Sequence, residues 1–326
     1  MRARLNVVGL SRTFPCETDP VALDMILDCD PGHDDAAALA VAAHRGRLLG
    51  VTTAAGNAAL EHTTRNALAI VQLLGIDVEV HAGAAAPLRG KSVAHATHVH
   101  GENGLAGATL PELHTTVASN DAAGYLVDIT RRHHGAWIVA TGPLTNVAAA
   151  LQRDRTLADR VAGISIMGGG TFGNVTAAAE FNMHFDPEAA DIVLRCGTRV
   201  VMCGLDLTHQ FLVDDTMVAR SRAFGNRFGP FAADFLAGYL ANIRTVRGDT
   251  LDAALHDPCA VLAVTDPHLI EVSTRRVMIE TAGEHTRGMT VVDRRPWVRG
   301  GNVAWAHTID ASAATEAVLA AFAAAP

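Results

Sequence analysis

The sequence predicts an α/β fold, a single domain with a mostly parallel central sheet and helices on both faces, and three observations predict it. From residue 24 onward, short β-branched runs alternate with Ala- and Leu-rich segments of helical length. That βαβα order covers both faces of a parallel sheet. No linker or internal repeat interrupts it, which places one domain at residues 23–326. Finally, the 326-residue chain is 49% apolar and 18% charged, enough apolar surface for one large core.

The elements follow in order. "MILD" reads as a strand, and "DDAAALAVAAHR" as a helix opened by Asp34 and Asp35. "LLGVTTAAG" is a strand, and "EHTTRNALAIVQLLG" a helix ending at Gly75. "VEVHAG" is a third strand, followed by a Gly- and His-rich loop through residue 108. "NDAAGYLVDITRRHH" leads as a helix into the strand "AWIVATG", and "PLTNVAAALQRD" starts with Pro in a first helical turn. "VAGISIMGG" and "TRVVMCG" are strands with the helix "PEAADIVLRC" between them. Beyond residue 265 the pattern weakens into strands at "RRVMIE", "GMTVVD" and "NVAWAHTI" and a final Ala-rich helix.

Charge and cysteine content narrow the function classes. A net charge of −8 and a pI near 6.0 argue against a nucleic-acid partner or an anionic membrane surface. Lys91 is the only lysine against 25 arginines, so Schiff-base chemistry has one candidate. Cys16, Cys29, Cys196, Cys203 and Cys259 are odd in number and lack CxxC spacing, which points to reduced thiols and a cytoplasmic protein. No stretch approaches a transmembrane helix. Residues 1–22, with an apolar run too short for a signal peptide, read as an N-terminal extension outside the fold.

Parallel sheets bind ligands beyond the carboxyl ends of their strands. Five polar groupings follow strands here: Asp28–Asp35, Gly56–Asn57, Thr141–Gly142, Gly168–Asn174 and Asp206–His209. The predicted topology brings them to one rim. Other motifs carry less. "RGKS" at 89–92 lacks the upstream glycine of a phosphate loop, and "GGGTFG" at 168–173 matches G-x-G-x-x-G but is followed by a polar, broken segment instead of a helix. No G-x-S-x-G elbow supports Ser/His/Asp catalysis. "HVHGENG" at 98–104 is dense in possible ligands yet has no second pair nearby.

The acidic cluster "DCDPGHDD" is the strongest chemical signal. A helix cap needs one carboxylate, while Asp28, Asp30, Asp34 and Asp35 at a strand end repel one another. A hard divalent cation removes that conflict, because carboxylates, carbonyls and waters make an oxygen-only site suited to Ca²⁺ or Mg²⁺. Gly32 is expected to make the sharp turn that lets Asp30 and Asp35 face each other.

"DCDPGHDDAAAL" closely resembles the D-x-D-P-G-x-D-D signature of the inosine–uridine-preferring nucleoside hydrolases. "AAGN", "HG", "ATGPLTNVA", "IMGGG", "GNVTAAAEFN", "DPEAA", "GLDLTHQ" and "HDPCAV" follow in that family's order and at similar spacing, from about residue 24 to the end. The resemblance implies a Rossmann-like nucleoside hydrolase fold and hydrolysis of the N-glycosidic bond of a ribonucleoside to ribose and free base. It implies Ca²⁺ held by Asp30, Asp35, the Thr141 carbonyl and Asp257, with Asp30 as base toward the attacking water. It places Asp34, Asn57, Asn174, Glu180 and Asn182 on the ribose, and His256 as the acid that protonates the departing base. It further implies a homodimer or homotetramer.

The segment before "HDP" departs from the family. Residues 239–255, read as a helix, offer Tyr239, Arg244 and Arg247 where some members carry tyrosines or a glutamine against the base. With His100, these are the candidates for the base side, and the base preference stays open. Asp28 is expected to orient its loop, and Asp206 and His209 to be structural. Two rivals are weaker. A dehalogenase-type phosphatase would want a partnered lysine, and Lys91 is poorly placed. A nucleoside-binding sensor without turnover would need neither base nor acid.

Overall fold

A computed structural model describes residues 23–89, 94–248 and 252–326. The expected extension at 1–22, and Lys91 with most of "RGKS", lie outside the described residues. The strands are β1 (Asp24–Cys29), β2 (Arg47–Thr53), β3 (Val80–Ala82), β4 (Trp137–Ala140), β5 (Gly163–Met167), β6 (Val200–Cys203), β7 (Leu212–Val213), β8 (Ala253–Ala254), β9 (Ile270–Arg275), β10 (Val277–Ile279), β11 (Thr290–Val292) and β12 (Val303–Ile309). Eight of them form the central sheet in the order β3-β2-β1-β4-β5-β6-β12-β9. All neighbours are parallel except β12 and β9. The predicted α/β architecture is the observed one.

Side chains alternate across each strand and so feed two cores. Met25, Leu27 and Val139 face one, with α1 (His33–Arg45), α2 (Leu60–Leu74) and the helices Pro258–Thr265 and Ala311–Ala324. Ile26, Ile138 and Val200 face the other, with helices Ala122–Arg132, Thr145–Arg153 and Pro187–Leu194. Burial on both sides explains why these strands read as continuous apolar runs. The run of alanines in α1 (Ala36, Ala37, Ala38, Ala40) is fully buried, which holds the acidic first turn of that helix tightly over the sheet.

Four local expectations change. The third strand contracts to three residues at the sheet edge, where β2 pairs with it on one side and a single bridge to Ser119 covers the other. Pro143 precedes the capping Leu144 rather than entering the first turn of the Thr145–Arg153 helix. Residues 239–255 are not one helix. A 20-residue helix spans Phe228–Arg247, and Ala253–Ala254 pairs as a strand with Leu212–Val213. In the tail, β10 and β11 leave the main sheet as a separate antiparallel ribbon, while β12 returns to its interior beside β6. Among the described residues, no helix is long and apolar enough to cross a membrane.

Candidate active site

The strand order reverses between β1 and β4, and a parallel sheet opens a crevice at such a point. Asp30 follows β1 there and Thr141 follows β4. Both are buried, as are Asp28, Asp34, Asp35 and Asp257. A cleft opens above them, lined by Asp34, Asn57, Thr141, Asn182, His256 and Asp257 among others.

Backbone amides and small residues hold the acidic wall. The Gly32 amide donates to Asp35 Oδ2 at 2.9 Å, and the Asn57 amide to Asp30 Oδ2 at 2.7 Å. Thr141 Oγ1 donates to Asp35 Oδ1 at 2.7 Å, and Asn57 Nδ2 to Asp35 Oδ2 at 3.1 Å. The chain bends at Gly32 as expected, but its φ of −102° is open to any residue, so the bend itself needs no glycine. Glycine is required for close approach, since a Cβ there would stand 2.6 Å from His100 Nδ1. The glycines of "AAGN" and "ATGP" act alike. A Cβ on Gly56 would lie 2.0 Å from Asp30 Oδ2, and one on Gly142 would lie 2.5 Å from Oδ1.

The carboxylates are electrostatically unsettled. Asp34, Asp35 and Asp257 bring one oxygen each within 4.8 Å of one another, a group that does not include Asp30. Burial, then the neighbouring Asp35 charge, pushes Asp30 well above the usual carboxylate range and Asp34 up to about 7. Burial and the Asp34, Asp35 and Asp30 charges do the same to Asp257, and burial raises Asp35. Asp30 Oδ1 and Asp34 Oδ1 are buried without a hydrogen-bond partner among the described residues. Oxygen-only donors, mutual repulsion and orphaned buried oxygens fit a hard cation. Asp28 differs. Thr52 and Asn146 donate to its Oδ1 at 2.6 and 2.8 Å, and burial raises it to about 6, so it braces β1 against its neighbours.

Of the residues expected on the sugar, Asp34, Asn57, Asn174, Glu180 and Asn182 all line the cleft. Glu180 caps the short Phe181–Phe185 helix, accepting from the amides of Gly169, Asn182 and Met183. Asn182 Nδ2 donates to the Thr141 carbonyl at 2.8 Å. Asn174 is exposed at the mouth and accepts from the Phe181 amide.

The opposite end is built from rings. His33, His100 and Tyr239 stack, with centroids 5.2 to 5.6 Å apart. His33 Nδ1 faces His100 Nδ1 at 3.0 Å, and the Tyr239 hydroxyl donates to the Ala254 carbonyl at 2.9 Å. Burial lowers His33 to about 4 and His100 well below the imidazole range, leaving both neutral. His256 also lines the cleft, its Nδ1 2.7 Å from Thr208 Oγ1. Val99, Ile243 and Ala254 supply an apolar wall.

Arg244 does not join these rings. Its guanidinium pairs with Asp215 and Asp252, away from the cleft lining. The Arg247 side chain lies outside the described residues. Asp206 holds the glycine-rich loop through Thr171. Sequence reasoning missed His33, Thr208, Val99 and Ile243. A histidine in the first turn of a helix is itself a signal, because a charged ring there opposes the helix dipole. Thr208 was hidden between two more conspicuous residues of "GLDLTHQ".

The comparisons agree with this geometry. The model of the family described as inosine-uridine preferring nucleoside hydrolase matches residues 25–316. The chain is similar to the pyrimidine-specific ribonucleoside hydrolase RihA of Shewanella woodyi, 43% identical over 275 residues that cover 83% of this chain and 88% of the relative. The protein of that name in Salmonella typhimurium is 41% identical over 278 residues, covering 84% and 89%. The solved structure of a purine-preferring ribonucleoside hydrolase from Gardnerella vaginalis superposes with a TM-score of 0.87 at 32% identity, covering 92% of this chain and 98% of that one. With the acidic motif, the parallel sheet and the cleft at its reversal point all in place, the chain belongs to the inosine-uridine preferring nucleoside hydrolases, enzymes that hydrolyse N-glycosyl compounds.

Proposed function

We propose that this cleft hydrolyses pyrimidine ribonucleosides to ribose and free base, with Ca²⁺ as its cation. One observation carries the reading: at the sheet's reversal point Asp34, whose buried Oδ1 is unpartnered among the described residues, lines the same cleft as Asp257 and the imidazole of His256. The pyrimidine preference rests on relatives above 40% identity, the two described above among them, that are named pyrimidine-specific. A reducing, cytoplasmic setting is part of the proposal, resting on the odd number of cysteines and their lack of CxxC spacing.

Asp30, Asp35, Asp257 and the Thr141 carbonyl would hold the ion, the carbonyl using its second lone pair beside the Asn182 bond. When bound, Ca²⁺ neutralises the carboxylates, grips the ribose diol and makes a water more acidic. The chain's own groups do the rest. Asp34, Asn57, Asn174, Glu180 and Asn182 grip the ribose and tighten as positive charge develops on the ring. As water oxygen bonds to C1′, Asp30 takes a proton from it. The C1′–N bond breaks with its electron pair going to the base, and His256 delivers a proton to the departing nitrogen.

Ribose release from uridine, cytidine, inosine, adenosine and guanosine, before and after chelation and Ca²⁺ restoration, tests this. Uridine and cytidine should lead, with release lost on chelation and regained with Ca²⁺. Faster release from the purine nucleosides overturns the base preference, and unchanged release after chelation overturns the cation.

A further inference from the structure

We infer that Thr208 is the positioning residue for His256. This rests on the reading of His256 as the leaving-group acid. An acid on a flexible loop is effective only if its ring direction is fixed, and His256 lies beyond the sheet, after the short strand β8. The structure fixes it from the segment Gly204–Val213.

Thr208 is fully buried, and its hydroxyl makes no hydrogen bond among the described residues other than the 2.7 Å contact to His256 Nδ1. A buried hydroxyl without its partner would cost roughly 1–3 kcal/mol, so a site that only needed filling would be better served by the matching shape of valine. The backbone of Thr208 is itself held. Its amide donates to the Gly204 carbonyl at 3.0 Å, and its carbonyl accepts from the Phe211 amide at 3.1 Å. The Phe211 carbonyl in turn accepts from the Leu255 amide at 2.8 Å, next to His256, and β7 pairs with β8. Hydroxyl and ring therefore flank one two-stranded ribbon, Thr208 at the end of the helical turn Leu205–Thr208 that precedes β7 and His256 just after β8. The ring of His209 lies 5.7 Å from that of His256, and Phe172 meets His209 edge-on at 5.3 Å.

The choice of a hydroxyl has chemical meaning. A threonine both donates and accepts, so it keeps the contact whichever ring nitrogen carries the proton. A carboxylate in its place would favour the charged ring and oppose proton release. Thr208 thus holds the direction of the ring before and after His256 gives up its proton.

The test compares wild type, Thr208→Val and Thr208→Ser on uridine and on p-nitrophenyl riboside, whose leaving group needs no proton. Thr208→Val should lower kcat on uridine about 10- to 100-fold with KM nearly unchanged. The activated riboside should be hydrolysed at close to the wild-type rate, and Thr208→Ser should recover most of the loss. Should Thr208→Val not fold, Thr208→Ala is read the same way. A wild-type rate on uridine, equal losses on both substrates, or failure of serine to restore activity overturns the assignment. A wild-type enzyme that turns over neither substrate overturns the hydrolase reading itself, a different result from any of these.

Discussion

Asp30, Asp34 and Asp35 share one strand–helix turn, whereas His100, Tyr239 and His256 reach the same cleft from three distant segments. The acidic wall is locked by backbone amides and by glycines that leave no room for movement. The ring wall is locked by side chains stacked on side chains, and by ribbons outside the main sheet. Burial pushes both walls toward their uncharged forms, from opposite directions: carboxylates upward, imidazoles downward. The difference teaches where each wall fails. On the proposed mechanism, a change on the acidic wall should remove chemistry common to every substrate, while one on the ring wall should act through the leaving group.

Asp30→Asn should produce the largest loss, at least about 10³-fold in kcat on every substrate, including p-nitrophenyl riboside. The fold should survive, because Asn still accepts from the Asn57 amide. Circular dichroism and ribose release together check this, and a rate within tenfold of wild type would remove Asp30 as the base. His256→Ala should cost about 10²-fold or more on uridine and only a few-fold on the activated riboside. Equal losses on both would erase the contrast between the walls.

The contrast also explains what the sequence could reveal. The acidic wall was legible because its residues are local: strand, turn and helix start fix their relative positions within "DCDPGHDD". The parallel sheet was legible for the same reason, since each buried strand declares itself by a short apolar run. Of the ring wall, His100, Tyr239 and His256 came only through the family resemblance, and the side chains that hold them were not legible. His33 meets His100 only through tertiary packing across 67 positions, and Thr208 meets His256 only because β7 pairs with β8. Two-residue strands leave no periodic trace. At Gly32 the bend was legible, but the close approach to His100 that makes glycine necessary cannot be read from local spacing.

Cation removal should separate the walls by pH. Asp34 rises to about 7 in the fold from 3.8, so the folded state binds a proton that the unfolded chain has released between those values. The stripped protein therefore loses stability as pH rises from about 4 to about 7, and holds that stability below the unfolded value. Ca²⁺ favours the ionised form and offsets the loss. The rise in Tm on adding Ca²⁺ should be several degrees larger at pH 8 than at pH 5. Melting curves with chelator and with Ca²⁺ at the two pH values measure it, and equal shifts would mean that the cluster does not hold the ion.

The smallest effect expected is at Arg244, which was a candidate for the base when only its position in the chain was visible. Its guanidinium is committed to Asp215 and Asp252 on the outside of the long helix, while Tyr239 and Ile243 on that helix's inner face line the cleft. Exposed ion pairs contribute roughly 0–1 kcal/mol, so Arg244→Ala should shift Tm by a few degrees at most. It should leave kcat/KM for uridine and for inosine within about twofold of wild type, because no step in the cleft reaches that side chain. Ile243→Ala, one position before it, opens the apolar wall and should change the ratio between the two nucleosides. If Arg244→Ala changed that ratio instead, the base would be read from the outer face of the helix, and the ring wall would have to be redrawn around it.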